Sequence, residues 1–360
     1  MLSTVGLEPF LCAALIAGLL RYGAAGRPVA FGVVTGLLAL ARPDVVVVVV
    51  VGALVFPGVR RGVLRAVGSA LAVALPWYVF SWFALGSALP DTLILKTNGE
   101  TWGGRGFWAG PGLYQLVAPR TAALTILPVA AGALVLAGLL MARLVRRWEA
   151  WQRAAAVAGL GGAAHYAVYG LLGTAPFHWY YAPAVIGTTL CAAIATCRTQ
   201  RPAALLGLGL ALALAVLSLG DDLAQGVPWV RAPLSSNWAT DAEYTRMGAD
   251  LRGIVGTRTV DSPGEIGTLA YACDCSIVDA FSDRGRVLGA IAAREAAADP
   301  VTRWLLELNY THLDRTQRPR PVDLRLGYEA KVRPSGPQQW PGNHWTSGPG
   351  RFVLIPGGES

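Results

Sequence analysis

The sequence predicts a mainly α-helical polytopic membrane protein, with about eight membrane segments followed by a small soluble α/β domain. Three observations predict it. The chain of 360 residues is 54% hydrophobic and only 14% charged, with a mean hydropathy of +0.45, outside the usual range of soluble domains. Its long apolar runs all lie before residue 220. Its charge is also uneven: residues 1–220 hold 15 basic and 5 acidic side chains, whereas residues 221–360 hold 15 and 17. Domains are therefore expected at 1–220 and 221–360. The net charge of +8 reflects membrane topology, so no nucleic-acid partner is inferred from it.

The eight apolar runs are approximately Leu7–Leu20, Pro28–Ala41, Val45–Val59, Ala66–Gly86, Thr121–Ala142, Ala154–Leu172, Tyr181–Cys197 and Ala203–Leu219. Arginines mark alternate connections: Arg21 and Arg27, then Arg60, Arg61 and Arg65, then Arg143, Arg146, Arg147 and Arg153, then Arg198 and Arg201. Against these eleven stands one acid, Glu149. The positive-inside rule places these connections in the cytoplasm. The remaining connections, and everything after Leu219, are then expected outside a cytoplasmic membrane.

Arg42-Pro43-Asp44 separates the second run from the third, and neither run alone has the roughly 20 residues a spanning helix needs. Two short helices meeting at a charged break are expected there. Such a pair is costly in a membrane unless it faces water, a partner or a ligand, so it marks a functional site; the plainer alternative is punctuation at a membrane boundary. The same topology gathers Glu8, Arg42, Asp44, the 87–120 loop with Lys96 and the 173–180 loop with His178 on the outer face. Lys96 is one of two lysines in the chain, in a loop that also carries Asp91, Asn98, Glu100, Trp102, Arg105 and Trp108. Cations beside indole rings suit a lipid-linked phosphate bearing a sugar, although an aromatic belt with solvated charges has the same composition.

The second outer loop runs Phe177-His178-Trp179-Tyr180-Tyr181-Ala182-Pro183 into a membrane segment. A histidine there can donate to a phosphate or a leaving oxygen. Arg42, Lys96 and His178 are accordingly expected to meet the donor phosphate. Trp102, Trp179, Tyr180 and Tyr181 are expected against the sugar or headgroup. His165, inside an apolar run, reads as a buried and hydrogen-bonded side chain. No His, Cys, Asp and Glu grouping has metal-site spacing, and no cofactor is expected, a divalent cation being left open.

These residues carry a resemblance. Gly6-Leu7-Glu8, then Gly36-Leu37-Leu38-Ala39-Leu40-Ala41-Arg42-Pro43-Asp44, then Pro90-Asp91-Thr92-Leu93-Ile94-Leu95-Lys96, then Trp179-Tyr180-Tyr181-Ala182-Pro183, resemble the second half of a GT-C-fold polytopic glycosyltransferase. The actinobacterial enzymes that use polyprenyl-phosphate sugars, including mycobacterial terminal arabinofuranosyltransferases, are the nearest in pattern. Gly264-Glu265-Ile266-Gly267 leading to Ala270-Tyr271, and Ile277-Val278-Asp279, resemble the small extracytoplasmic domain of such proteins. The resemblance implies transfer of a sugar from a polyprenyl-phosphate donor to a cell-envelope glycan or glycolipid acceptor. It also implies an acidic residue in the first outer loop of the family. That loop has no counterpart here, so the N-terminal membrane helices are expected to be missing and the catalytic base with them. Glu8 and Asp44 are the in-chain acids at the outer face, each expected to pair with a cation or cap a helix. A transporter or flippase for a lipid-linked saccharide, or a non-catalytic remnant or accessory subunit, are the rival readings.

After Leu219, Pro228, Pro233 and Ser235-Ser236-Asn237 mark a transition. Arg258–Asp261 and Ser276–Ala280 read as short strands around a helical Glu265–Tyr271. Arg286–Leu308 reads as one or two helices, and Asp323–Val332 and Arg351–Ile355 as further strands. Pro334, Gly336, Pro337, Pro341 and Gly342 predict a loop between those last two. Cys273 and Cys275 lie where oxidation is possible, but a single intervening residue argues against a mutual bridge.

Overall fold

A computed structural model of the chain describes residues 8–91, 106–224, 238–263, 267–279, 282–344 and 348–357. Two compact units divide it: Met1–Phe80 with Glu100–Ala224, and Ser81–Gly99 with Gln225–Ser360. The expected boundary at 220 is displaced because helix Arg201–Ala224 runs unbroken past it. The segment from Ser81 also joins the second unit, where Arg284 pairs with Asp91 at 3.0 Å.

The first unit is helical: α1 Pro9–Ala24, α2 Pro28–Ala41, α3 Val46–Val55, α4 Pro57–Arg61, α5 Val63–Ala84, whose last turn from Ser81 belongs to the second unit, α6 Gly110–Val117, α7 Pro119–Val145, α8 Ala150–Leu171, α9 Ala182–Thr196 and α10 Arg201–Ala224. Prolines begin α1, α2, α4 and α7, where a missing N–H costs no hydrogen bond. Over their described residues all eight apolar runs are largely helical, the third being divided at Phe56 between α3 and α4. Among the described helices, α5, α7 and α10 are long and apolar enough to cross a membrane. Helix α10 buries none of its residues among the described residues, which leaves its apolar surface exposed, as in a helix that faces lipid.

The other runs behave differently for physical reasons. Helices α1 and α2 fall short of a span, and α3 is cut off from α2 by the 42–45 break. Helix α8 has the length, but Gln152, His165 and its many Ala and Gly residues are buried inside the bundle. It packs against α1, α3, α7 and α9. Small residues let it come close: a Cβ on Gly187 of α9 would lie 2.5 Å from the Ala158 carbonyl oxygen. The core around it joins Ile16, Leu19, Phe31, Leu38, Val45, Val48, Phe56 and Val157.

The second unit contains α11 Asp241–Val255, β1 Thr259–Asp261, α12 Gly267–Cys273, β2 Ser276–Val278, α13 Arg284–Ala297, α14 Pro300–Asn309, β3 Leu324–Ala330, β4 Gln339–His344 and β5 Gly348–Pro356. Its sheet has the order β2-β1-β3-β5-β4, with β1 parallel to β2 and β3, and β5 antiparallel to β3 and β4. Tyr244, Met247 and Leu251 of α11 close the core with Val260, Leu269, Phe352 and Leu354.

The anticipated strands and helices are present within a few residues, with three differences. Helix α11 was not anticipated, although Thr240 and Glu243 form the capping box that starts it. The expected loop at 334–342 gives way to β4 from Gln339. This is an edge strand, which tolerates Pro341, and Gly342 fits because a Cβ there would meet the Phe352 ring at 2.7 Å. Cys273 and Cys275 are bridged, with Cα atoms 5.1 Å apart, inside the usual disulfide range. Asp274 between them takes φ +53, a turn that allows so short a loop.

Candidate functional site

The site is built on the break between α2 and α3. Arg42 precedes a proline, which disfavours helical backbone, and it is extended at φ −161 and ψ 94. Pro43 then opens a single 3-10 turn, Pro43–Val45, before α3 resumes the helix. The extended residue turns its side chain into the bundle, where Arg42 is only 6% exposed.

Its guanidinium makes several hydrogen bonds there through Nε and Nη1. Nε donates to both carboxylate oxygens of Asp44 at 3.0 Å, and Nη1 donates to Glu8 Oε1 and to the Trp179 carbonyl, each at 3.1 Å. The cation also lies over the Tyr180 ring, 5.9 Å from its centroid. Asp44 Oδ2 accepts from the Tyr169 hydroxyl at 2.7 Å and lies 2.9 Å from His165 Nε2. His165 is wholly buried and stacks on Tyr169, and its Nδ1 has no hydrogen-bond partner among the described residues.

Two carboxylates thus face one guanidinium. The guanidinium expected to meet a phosphate is therefore held by two carboxylates of the chain itself. Glu8 and Asp44 pair with that cation, as anticipated for them. His178 begins a 3-10 turn, His178–Tyr181, ahead of α9. Its Nδ1 is shut off from solvent without a hydrogen-bond partner among the described residues, and burial pushes the imidazole down to about 4. At neutral pH this ring is uncharged and can serve only as a neutral donor or acceptor. Lys96 and Trp102 lie outside the described residues.

The aromatic candidates separate into two groups. Trp179 and Tyr180 border the Arg42 cluster: Trp179 stacks on Phe177 with ring centres 4.6 Å apart, and Tyr180 is buried against Tyr169. Tyr181 instead packs into the bundle, stacked on Phe107 at 4.3 Å with its hydroxyl donating to the Phe107 carbonyl. His165 and Tyr169 were not among the sequence-based site candidates. Their signal was legible: two polar rings four residues apart on one face of a helix made mostly of Ala, Gly and aliphatic residues.

No protein-family model matches the sequence, and comparisons with characterised proteins and with solved structures find no match either.

Proposed function

We propose that the chain is a membrane glycosyltransferase that moves a sugar from a polyprenyl-phosphate donor to a cell-envelope glycan or glycolipid. The observation supporting this reading is the convergence at Arg42. Glu8, Asp44 and Trp179 come from three separate motifs of the resemblance, up to 137 positions from Arg42 in the chain, and all meet its guanidinium. The reading places the protein in a plasma membrane with its second unit outside, following the arginine distribution.

Within this reading the cluster supplies shape and a carboxylate. An acceptor hydroxyl must lose its proton as the glycosidic bond forms, and a positioned base contributes about 10²–10⁴-fold. Asp44 is a poor base because Arg42, Tyr169 and His165 already surround it. Glu8 is the better candidate, being 35% exposed and bonded to Arg42 through Oε1. Arg42 orients that carboxylate, and Trp179 with Phe177 offers an aromatic face to a sugar ring.

The test is transfer from a radiolabelled polyprenyl-phosphate sugar to envelope glycolipid by the full chain in nanodiscs. Transfer that falls about 10²-fold in Glu8→Gln is the expected result. A chain that neither binds nor consumes any such donor overturns the proposal. A second reading, movement of a lipid-linked saccharide across the membrane, is favoured by the broken α2–α3 helix and its buried ionised residues. Acceptor-independent appearance of the lipid on the far side of proteoliposomes would select it.

A further inference from the structure

We infer that α14 is an interfacial helix that docks the second unit onto a lipid surface through Val301, Trp304, Leu305 and Leu308. These four residues stand at positions i, i+3, i+4 and i+7, the spacing of a single helical face. They are 68%, 60%, 52% and 46% exposed, although each is large and apolar. The same helix already has its inward contact, because Leu306 packs against the cluster of Val287, Ile291, Tyr310 and Leu313. The outward stripe is therefore not a misplaced core face. It is a second apolar surface on a helix whose packing is otherwise complete.

Continuity with the membrane identifies the occupant. The last turn of α5, one of the helices apolar enough to cross a bilayer, belongs to the second unit and is bonded to the C-terminal end of α14. Trp82 Nε1 donates to the Leu308 carbonyl at 2.8 Å, and the Leu89 amide donates to Asn309 Oδ1 at 2.8 Å. The rings of Trp82 and Phe83 each lie 4.6 Å from His312, just beyond α14. Phe83, Leu85 and Leu89, in the segment that makes these contacts, are themselves exposed apolar residues. A spanning helix leaves the hydrocarbon at its end, so α14 is tethered at the level of the headgroups. A tryptophan on a helix of roughly 15 Å fits that zone.

Charge decides the kind of lipid contact. Arg303 and Glu307 are the only charged residues of α14, and they cancel. Arg303 is further occupied by the carbonyls of Glu295, Ala296 and Ala298 at the end of α13. Attachment therefore rests on apolar insertion and takes place on zwitterionic lipid, without an anionic headgroup.

The test uses the full chain carrying Cys197→Ser, reconstituted in phosphatidylcholine nanodiscs. An environment-sensitive fluorophore is placed in turn at Val301→Cys, Leu305→Cys, Glu307→Cys and, as a distant control, Arg333→Cys. All four sites are exposed, so labelling leaves the core intact. Lipids carrying a shallow nitroxide should quench positions 301 and 305 several-fold more than 307, and leave 333 unaffected. Equal quenching at 305 and 333 would overturn the inference. So would efficient cross-linking between copies through residue 305 without lipid quenching, which would assign the stripe to a second copy of the chain.

Discussion

Arg42 and Asp44 face each other across a single proline, with the Arg42 Nε 3.0 Å from both oxygens of the Asp44 carboxylate. Two residues apart on a continuous helix, these side chains would point to different faces. The extended backbone at Arg42 and the turn begun by Pro43 bring them together, so the helix break and the ion pair depend on each other.

That dependence sets the first prediction. Asp44→Ala leaves a buried guanidinium with Glu8 and the Trp179 carbonyl alone, and removes the acceptor used by Tyr169. Breaking a buried pair in this way costs about 3–5 kcal/mol. The double variant Arg42→Met with Asp44→Leu should recover part of the loss, because the buried guanidinium is gone and the carboxylate left without its cation, Glu8, is 35% exposed. Thermal melts in detergent that show the double variant as unstable as Asp44→Ala would refute the pairing.

Acid should weaken the first unit through His178. Its imidazole is held near 4 in the folded chain against 6.5 when free, because burial disfavours its charged form. Between those values the unfolded chain binds a proton that the folded chain does not. Stability should therefore fall as pH drops from about 6.5 towards 4, by at most about 1.4 kcal/mol per pH unit, and be unaffected by this group above 6.5. In His178→Phe the slope in that window should flatten. An unchanged slope would show that His178 is not enclosed.

Helix α9 approaches α8 closely only because its contact residue is glycine. In Gly187→Val the new side chain would press on the Ala158 carbonyl and on Gly162, whose Cα lies 3.0 Å from the Cβ position. Overpacking of this kind costs about 1–3 kcal/mol. Loss of monodisperse protein on heating, at a temperature below that of the parent chain, is the readout. A parent-like melt would place α8 and α9 further apart.

In the second unit, Gly342→Ala should lower stability by a similar amount, about 1–3 kcal/mol, by driving a methyl group into Phe352 and Tyr328. Faster limited proteolysis of the 225–360 region would reveal it. Resistance equal to the parent would mean that β4 does not lie against those rings.

Reporter fusions after Arg147 and after Gln225 should report opposite sides of the membrane if, as the positive-inside rule has it, the arginines at 143–153 keep that connection in the cytoplasm. The same signal at both positions would cancel the orientation from which the outer-face site was reasoned.

Sequence alone determined what depends on composition and short-range order. The apolar runs specify helices, because backbone groups in apolar surroundings must bond within their own segment. Arg42-Pro43 specifies a break, because a residue before proline avoids the helical region. The strands of the second unit were legible from apolar stretches between turn residues, except β4, whose Pro341 and Gly342 read as breakers. Only the sheet shows that this strand sits at an edge, where a missing N–H and an absent Cβ are tolerated. The tertiary structure alone decided which charges meet. Arg42 reads in sequence as a cation available to a phosphate, but folding sets Glu8, Asp44 and the Trp179 carbonyl on it from residues far apart in the chain. Local pattern cannot carry that information, because a guanidinium buried in a bundle takes whatever acceptors the packing of other helices delivers, and that packing is set by small residues such as Gly162 and Gly187.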